Sequence, residues 1–224
     1  CNQVAELNFC AHCGQSTKVA KINWTNFLTE LSTSVLQVNK GFFYSLRILF
    51  IQPGHSIREY LNGKRKNHFK PIAYAFTLST VYFLLSQLIE SNTFINDALV
   101  GWKNGAGIDV LDWFAENYSY TILLLLPLYS LASHLPFFGA KFNYLEHLVL
   151  NAYITGQQAA LYSLSSFLVL IKVNEDFIAS ITLFLSISYA FMVFWQFFNE
   201  QSRIAVLLRS ILTYILFLVL FSIT

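Results

Sequence analysis

Residues 53–71, PGHSIREYLNGKRKNHFKP, divide the chain into two unlike parts. Four of the chain's 14 Lys and Arg residues, Lys64, Arg65, Lys66 and Lys70, fall within seven of its residues, directly before the first long apolar run. Pro53-Gly54 interrupts a helix, so the chain is expected to turn there. Ser56 and Glu59 stand at the spacing of a capping box and predict a short helix to Leu61. Asn62-Gly63 offers the left-handed conformation that closes it. Pro71 suits the first turn of the next helix. Cations placed here meet anionic headgroups at roughly 1 kcal/mol each. Lys64, Arg65, Lys66 and Lys70 are therefore the expected contact for anionic lipid or for a partner, besides holding this end of the chain in the cytoplasm.

The composition names the solvent. Of 224 residues, 55% are apolar and 12% charged, about half the charged share of a soluble domain. A chain this poor in polar surface cannot cover a water-soluble globule of its size, and a bilayer suits it. The net charge of +2 is too small and too unevenly placed for nucleic acid.

Downstream of the hinge, five runs are long enough to cross a membrane: about 71–89, 118–138, 145–171, 177–198 and 204–223. At 1.5 Å per residue even the shortest covers about 28 Å, close to the hydrocarbon thickness. Nine Lys or Arg precede the first run, which expects a cytoplasmic N-terminus. The loop 90–117 holds five acids against Lys103 and belongs outside, whereas the loops with Lys141 and Arg203 fall inside. Arg209 lies early enough in the last run to snorkel back to the surface.

Upstream, Cys1, Cys10 and Cys13 give C-x8-C-x2-C, with Gly14 permitting the tight turn of a zinc knuckle. The simplest completion is a fourth Cys just before Cys1; a redox C-x-x-C and a lipidated Cys1 are the other readings. Trp24, Phe27, Leu28, Leu31, Val35 and Val38 recur at helical spacing and predict an amphipathic helix. Residues 41–51 (GFFYSLRILFI) are apolar almost all round but too short to span, which fits an interfacial or re-entrant segment. The units are thus a knuckle at 1–20, amphipathic and interfacial helices with the basic hinge at 21–70, and a bundle at 71–224.

Polar groups inside spans are where function is sought. Asn151, Thr155, Gln158, Tyr162 and Ser165 are spaced four, three, four and three and share one face of the third run. They read as interhelical hydrogen-bond glue or, alternatively, as a polar substrate path. Gly156 and Ala160 allow close approach nearby. His134 reads first as a packed or interfacial side chain. Glu146 and His147 open the third run near the same membrane face, so the two histidines are placed to approach each other. With Glu146 they are the one metal- or proton-capable group that can be assembled. No Asp or Glu falls centrally in any run, which argues against ion-coupled transport, and no Gly-rich phosphate loop, H-E-x-x-H or G-x-S-x-G motif is present. The chain reads as no enzyme.

With CAHCGQ at 10–15, NKGFF at 39–43, QPGHSIREYLNGKRK at 52–66 and then Pro71, the chain resembles a family of uncharacterised bacterial membrane proteins, domain of unknown function 3667. The resemblance covers about the first third of the chain. It implies a bacterial inner-membrane location, a four-Cys knuckle pair and several spans, and it brings no activity. The expectation is an all-α polytopic membrane protein with about five spans and structural zinc at Cys1, Cys10 and Cys13. Its expected role is a non-catalytic accessory or scaffold subunit docking another membrane subunit at the cytoplasmic face; the alternative is a transporter or lipid-handling protein.

Overall fold

A computed structural model of the protein describes residues 8–10, 17, 40–89, 113, 114, 117–169 and 174–223. Among them the fold is built of seven helices: α1 Lys40–Ile51, α2 Pro53–Leu61, α3 Pro71–Leu88, α4 Tyr118–His134, α5 Tyr144–Val169, α6 Glu175–Phe197 and α7 Arg203–Ile223. Cys1, Cys13 and the amphipathic stretch 24–38 lie outside the described residues.

Local chemistry explains most of the helix ends. Gln52 leaves the helical region with φ −141° and ψ 61°, and Pro53 opens α2 at its first position, where its missing N–H costs nothing. The break expected at Pro53-Gly54 thus falls one residue earlier, and Gly54 is helical. The capping box is a second correction. The helix begins at Pro53, so Ser56 sits inside it, buried, and bonds His68, while Glu59 pairs with Lys64. The closing signal holds. Gly63 takes φ 96°, its N–H bonds the Tyr60 carbonyl at 3.0 Å, and the Lys64 N–H reaches the Glu59 carbonyl at 2.9 Å. That pair of bonds is a Schellman close. A real capping box starts α5: Asn143 Oδ1 accepts from the Glu146 N–H at 3.0 Å, and Glu146 Oε2 accepts from the Asn143 N–H at 2.8 Å. Asn174 caps α6 by accepting from the Phe177 N–H.

Among the described residues three helices, α3, α6 and α7, are long and apolar enough to cross a membrane. Their buried share falls from 44% through 39% to 17%, while their apolarity rises in the same order. A helix in water would show the reverse, with its exposed face the polar one. Greatest apolarity on the most exposed helix means that lipid is the surrounding solvent, and the chain is a membrane protein. Two of the five expected spans fall outside that set. The helix α4 has 17 residues and stops at His134 because the chain turns over 135–139 and Gly139 adopts φ 90°. The 26-residue α5 is long enough but carries Asn151, Gln157, Gln158 and a run of hydroxyls.

The reason α5 is polar is its place. It packs against α3, α4 and α6 as well as α1 and α2, while α7 closes the other side against α4 and α6. Asn151, Gln157 and His147 are fully buried on it beside Leu150, Tyr153 and Ile154. A helix surrounded by protein need not be apolar toward lipid.

Two glycines mark the closest approaches. A Cβ on Gly156 would stand 2.6 Å from Tyr74 Cδ1 of α3, which bears out the close approach expected there. A Cβ on Gly54 would stand 2.4 Å from Gln196 Cβ and 2.5 Å from the Phe197 backbone nitrogen. The second obstacle is backbone and cannot rotate away. Gly54→Ala is expected to cost about 1–3 kcal/mol through overpacking, read as a lowered denaturation midpoint in mixed micelles. An unchanged midpoint would mean that α2 does not sit on α6 in this way.

Candidate functional site

The hinge places its cations at one end of the bundle, and part of their charge is already engaged. Lys64 Nζ pairs with Glu59 Oε1 at 2.6 Å, both side chains about half exposed. Arg65 Nε donates to the Tyr60 carbonyl at 3.3 Å, and its guanidinium lies 5.4 Å from the Tyr60 ring centre. Lys66 is exposed, and half-buried Lys70 is the N-cap residue of α3.

Beside them a polar groove of about 780 Å³ opens between α2 and the end of α6, lined by residues such as Gln52, His55, Arg58, Asn62, Gln196 and Asn199. Arg58 is its fixed point. The guanidinium donates to the Phe197 carbonyl at 3.0 Å, to Asn199 Oδ1 and to Glu200 Oε1 at 2.5 Å. Glu200 also meets Lys141 at 3.4 Å. The Arg58 and Lys141 hydrogen bonds hold the Glu200 carboxyl below its ordinary value. The Gly54 N–H, an unpaired donor in the first turn of α2, bonds Gln196 Oε1 at 3.1 Å. One cluster of bonds therefore ties together α2, the α4–α5 turn and the α6–α7 turn. Neither Arg58 nor Glu200 stands out in the sequence, because 142 residues separate them.

Deeper in, side chains of the bundle hold the backbone of α1 and the hinge. Gln157 Nε2 donates to the Leu46 carbonyl at 3.3 Å, and the Tyr189 hydroxyl to the Leu49 carbonyl at 3.1 Å. The Tyr153 hydroxyl donates to the Phe69 carbonyl at 2.6 Å, while the Phe69 N–H donates to Ser45 Oγ at 2.7 Å.

The expected stripe divides by partner. Asn151 crosses to Ser133 Oγ of α4 at 2.7 Å, and Gln158 crosses to the Ser186 carbonyl of α6 at 3.1 Å. Thr155 and Ser165 turn back onto carbonyls of their own helix. Tyr162 is buried with its ring 5.5 Å from Tyr82. The stripe reading missed Gln157, whose Oε1 accepts from the buried Tyr74 hydroxyl. The signal was present: successive residues of a helix point about 100° apart, so the pair Gln157-Gln158 must face two neighbours.

Of the three Cys, Cys10 alone is described, and it is buried. Among the described residues no group of three His, Cys, Asp or Glu stands ready for a metal. His134 and His147 do meet, with ring centres 5.1 Å apart, whereas Glu146 is occupied as the α5 cap. Arg209 reaches back, as expected, to Gln201 Oε1 at 2.6 Å.

A family model described as a protein of unknown function (DUF3667) matches residues 39–83. That segment is similar to the family. It spans α1, α2, the basic hinge and most of α3, and it includes the 39–43 and 52–66 motifs; the Cys motif lies outside it. No curated protein and no solved structure matches the chain.

Two outcomes are expected. Gln157→Leu strands the buried Tyr74 hydroxyl and costs about 1–3 kcal/mol. Gln158→Leu removes the hydrogen bond to the Ser186 carbonyl, a contact of a kind worth roughly 0.6 kcal/mol. Unfolding in mixed micelles ranks the two, and the reverse order would contradict the assignment. The second concerns pH. His68 is buried against Tyr44 and Tyr60, with Nε2 2.9 Å from Ser56 Oγ. Burial pushes its imidazole below the ordinary 6.5, against the raising pull of the Lys64 backbone and the Glu59 carboxylate. The unfolded chain then binds a proton at a pH where the folded one does not, so stability is full above about 6.5 and falls with acidification below it. His68→Gln is expected to flatten the melting temperature between about pH 7 and 5.

Proposed function

We propose that this chain is a non-catalytic integral membrane accessory or scaffold subunit that docks a partner through its N-terminal part on the cytoplasmic face. The observation that carries the reading is the engagement of the intramembrane amides. Asn151, Gln157 and Gln158 each bond a neighbouring helix, and bonds of that kind serve assembly rather than passage. The stripe of Asn151, Thr155, Gln158, Tyr162 and Ser165 is then glue and not a transport path.

The reading includes a multi-pass arrangement in a bacterial inner membrane, with α4 and α5 as further spans beside α3, α6 and α7. Support comes from the packing of α5 at the centre of the bundle. Arg58, Lys141 and Glu200 meet at one end, so the turns that carry them share a side of the membrane. That side is the cytoplasmic one by its excess of Lys and Arg. Anionic lipid is the companion proposed for Lys64, Arg65, Lys66 and Lys70, and structural zinc the cofactor proposed for Cys1, Cys10 and Cys13.

Copurification from native membranes tests the reading. A second membrane protein is expected to stay bound in mild detergent, and Asn151→Leu with Gln158→Leu is expected to weaken assembly. A chain that is monomeric and partner-free under those conditions, or a double variant that assembles normally yet loses transport of a solute, would sink it.

A further inference from the structure

The end of α4 and the start of α5 enclose a polar cluster whose hydrogens can be counted. The Ser133 hydroxyl has one hydrogen, and it goes to the Ser130 carbonyl at 3.0 Å. Ser133 Oγ accepts from Asn151 Nδ2 at 2.7 Å and lies 3.0 Å from His147 Nδ1. The assignment that satisfies all three contacts leaves the hydroxyl hydrogen on the Ser130 carbonyl and makes His147 Nδ1 the donor to Ser133 Oγ. His147 is therefore the Nδ1–H tautomer, and its Nε2 carries a lone pair. Asn151 spends both amide hydrogens, one on Ser133 Oγ and one on the His147 carbonyl at 2.9 Å, which leaves Oδ1 as an acceptor only.

His147 and Asn151 are fully buried, and His147 Nε2 and Asn151 Oδ1 have no hydrogen-bond partner among the described residues. His134 Nδ1, also buried, has none either. Leaving such atoms unmet in an apolar setting costs roughly 1–3 kcal/mol each. The cluster thus offers two enforced lone pairs and a second imidazole nitrogen, and it calls for a donor or a cation.

We propose that His134, His147 and Asn151 form a binding site for a transition-metal ion of the imidazole-binding class, with zinc as its probe. Two features favour an ion. A histidine that binds metal characteristically gives its other N–H to an oxygen, which fixes the ring and its tautomer; Ser133 Oγ holds His147 in that manner. The spacing also fits. A Zn–N bond of about 2.0–2.1 Å, plus about 1.1 Å from nitrogen to ring centre, sets two imidazoles on one tetrahedral zinc about 5.2 Å apart, centre to centre. The observed separation is 5.1 Å. Phe137 and Phe198, at 6.3 and 5.8 Å from the His147 ring, shield the place from water. The proposal uses none of the cysteines and does not depend on the scaffold reading.

The test uses the full chain purified in detergent, stripped with chelator and dialysed against Zn²⁺, with metal content and melting temperature measured. Wild type is compared with His134→Phe and His147→Phe, which retain a ring. Wild type is expected to hold one zinc per chain more than either variant and to gain melting temperature with zinc where they gain less. Zinc held by the cysteines counts equally in all three. Ser133→Ala frees the His147 ring and is expected to weaken zinc binding 10–100-fold. Should His147→Phe not fold, His134→Phe, at the partly exposed helix end, carries the comparison. Equal zinc content in wild type and variants overturns the proposal, and the lone pairs then belong to a bound water.

Discussion

Backbone groups that leave regular helix inside a low-dielectric bundle must find partners there, and this requirement shapes the N-terminal half of the fold. Water would satisfy the end of α1 and the hinge in a soluble protein; in lipid an unmet N–H or C=O costs several kcal/mol. The bundle supplies the partners itself. Tyr189 takes the Leu49 carbonyl and Tyr153 the Phe69 carbonyl, while Ser45 takes the Phe69 N–H. Tyrosine suits the task because its ring packs as an apolar body and its hydroxyl reaches from the end. These contacts dock a helix too short to span against the bundle, with Phe43 and Ile51 turned outward.

The same requirement accounts for the distribution of polarity among the helices. The outermost, α7, is the most apolar, and the helix at the centre holds the amides. Measuring hydropathy along a sequence detects what faces lipid, so a helix walled by protein escapes it. Polar residues on α5 report its central position, and their hydrogen bonds tie α3, α4 and α6 to it.

At the opposite extreme, the charged end of the bundle is organised by Arg58. Its guanidinium, partly buried, reaches a carbonyl, an amide oxygen and a carboxylate on the α6–α7 turn, and Glu200 extends the link to Lys141. Exposed ion pairs contribute little individually, yet this one joins a helix to two turns, starting from the planar fork that only arginine offers. The segment similar to the family of unknown function, 39–83, includes Arg58, the glycine that seats α2 on α6, and the hinge. What the match covers is a docking arrangement of short helices on the bundle.

Much of this was legible in one dimension. Long apolar runs, cations massed before the first of them, Asn62-Gly63 as a helix stop and Pro71 as a start are local features, and local sterics and transfer energies decide them. The polar face through Asn151 and Gln158 was readable because helical periodicity is a property of the chain alone. Other residues took their meaning from the fold. Ser56 and Glu59 have capping-box spacing, but a buried histidine and a neighbouring lysine claim them instead. The need for Gly54 comes from a backbone 142 residues away, and the tautomer of His147 follows from how Ser133 and Asn151 spend their hydrogens. Sequence alone determined the solvent and the helix periods, since these follow from each residue's own chemistry. Which polar atom meets which was left to the tertiary structure, because a hydrogen bond across helices depends on distances that no spacing along the chain encodes.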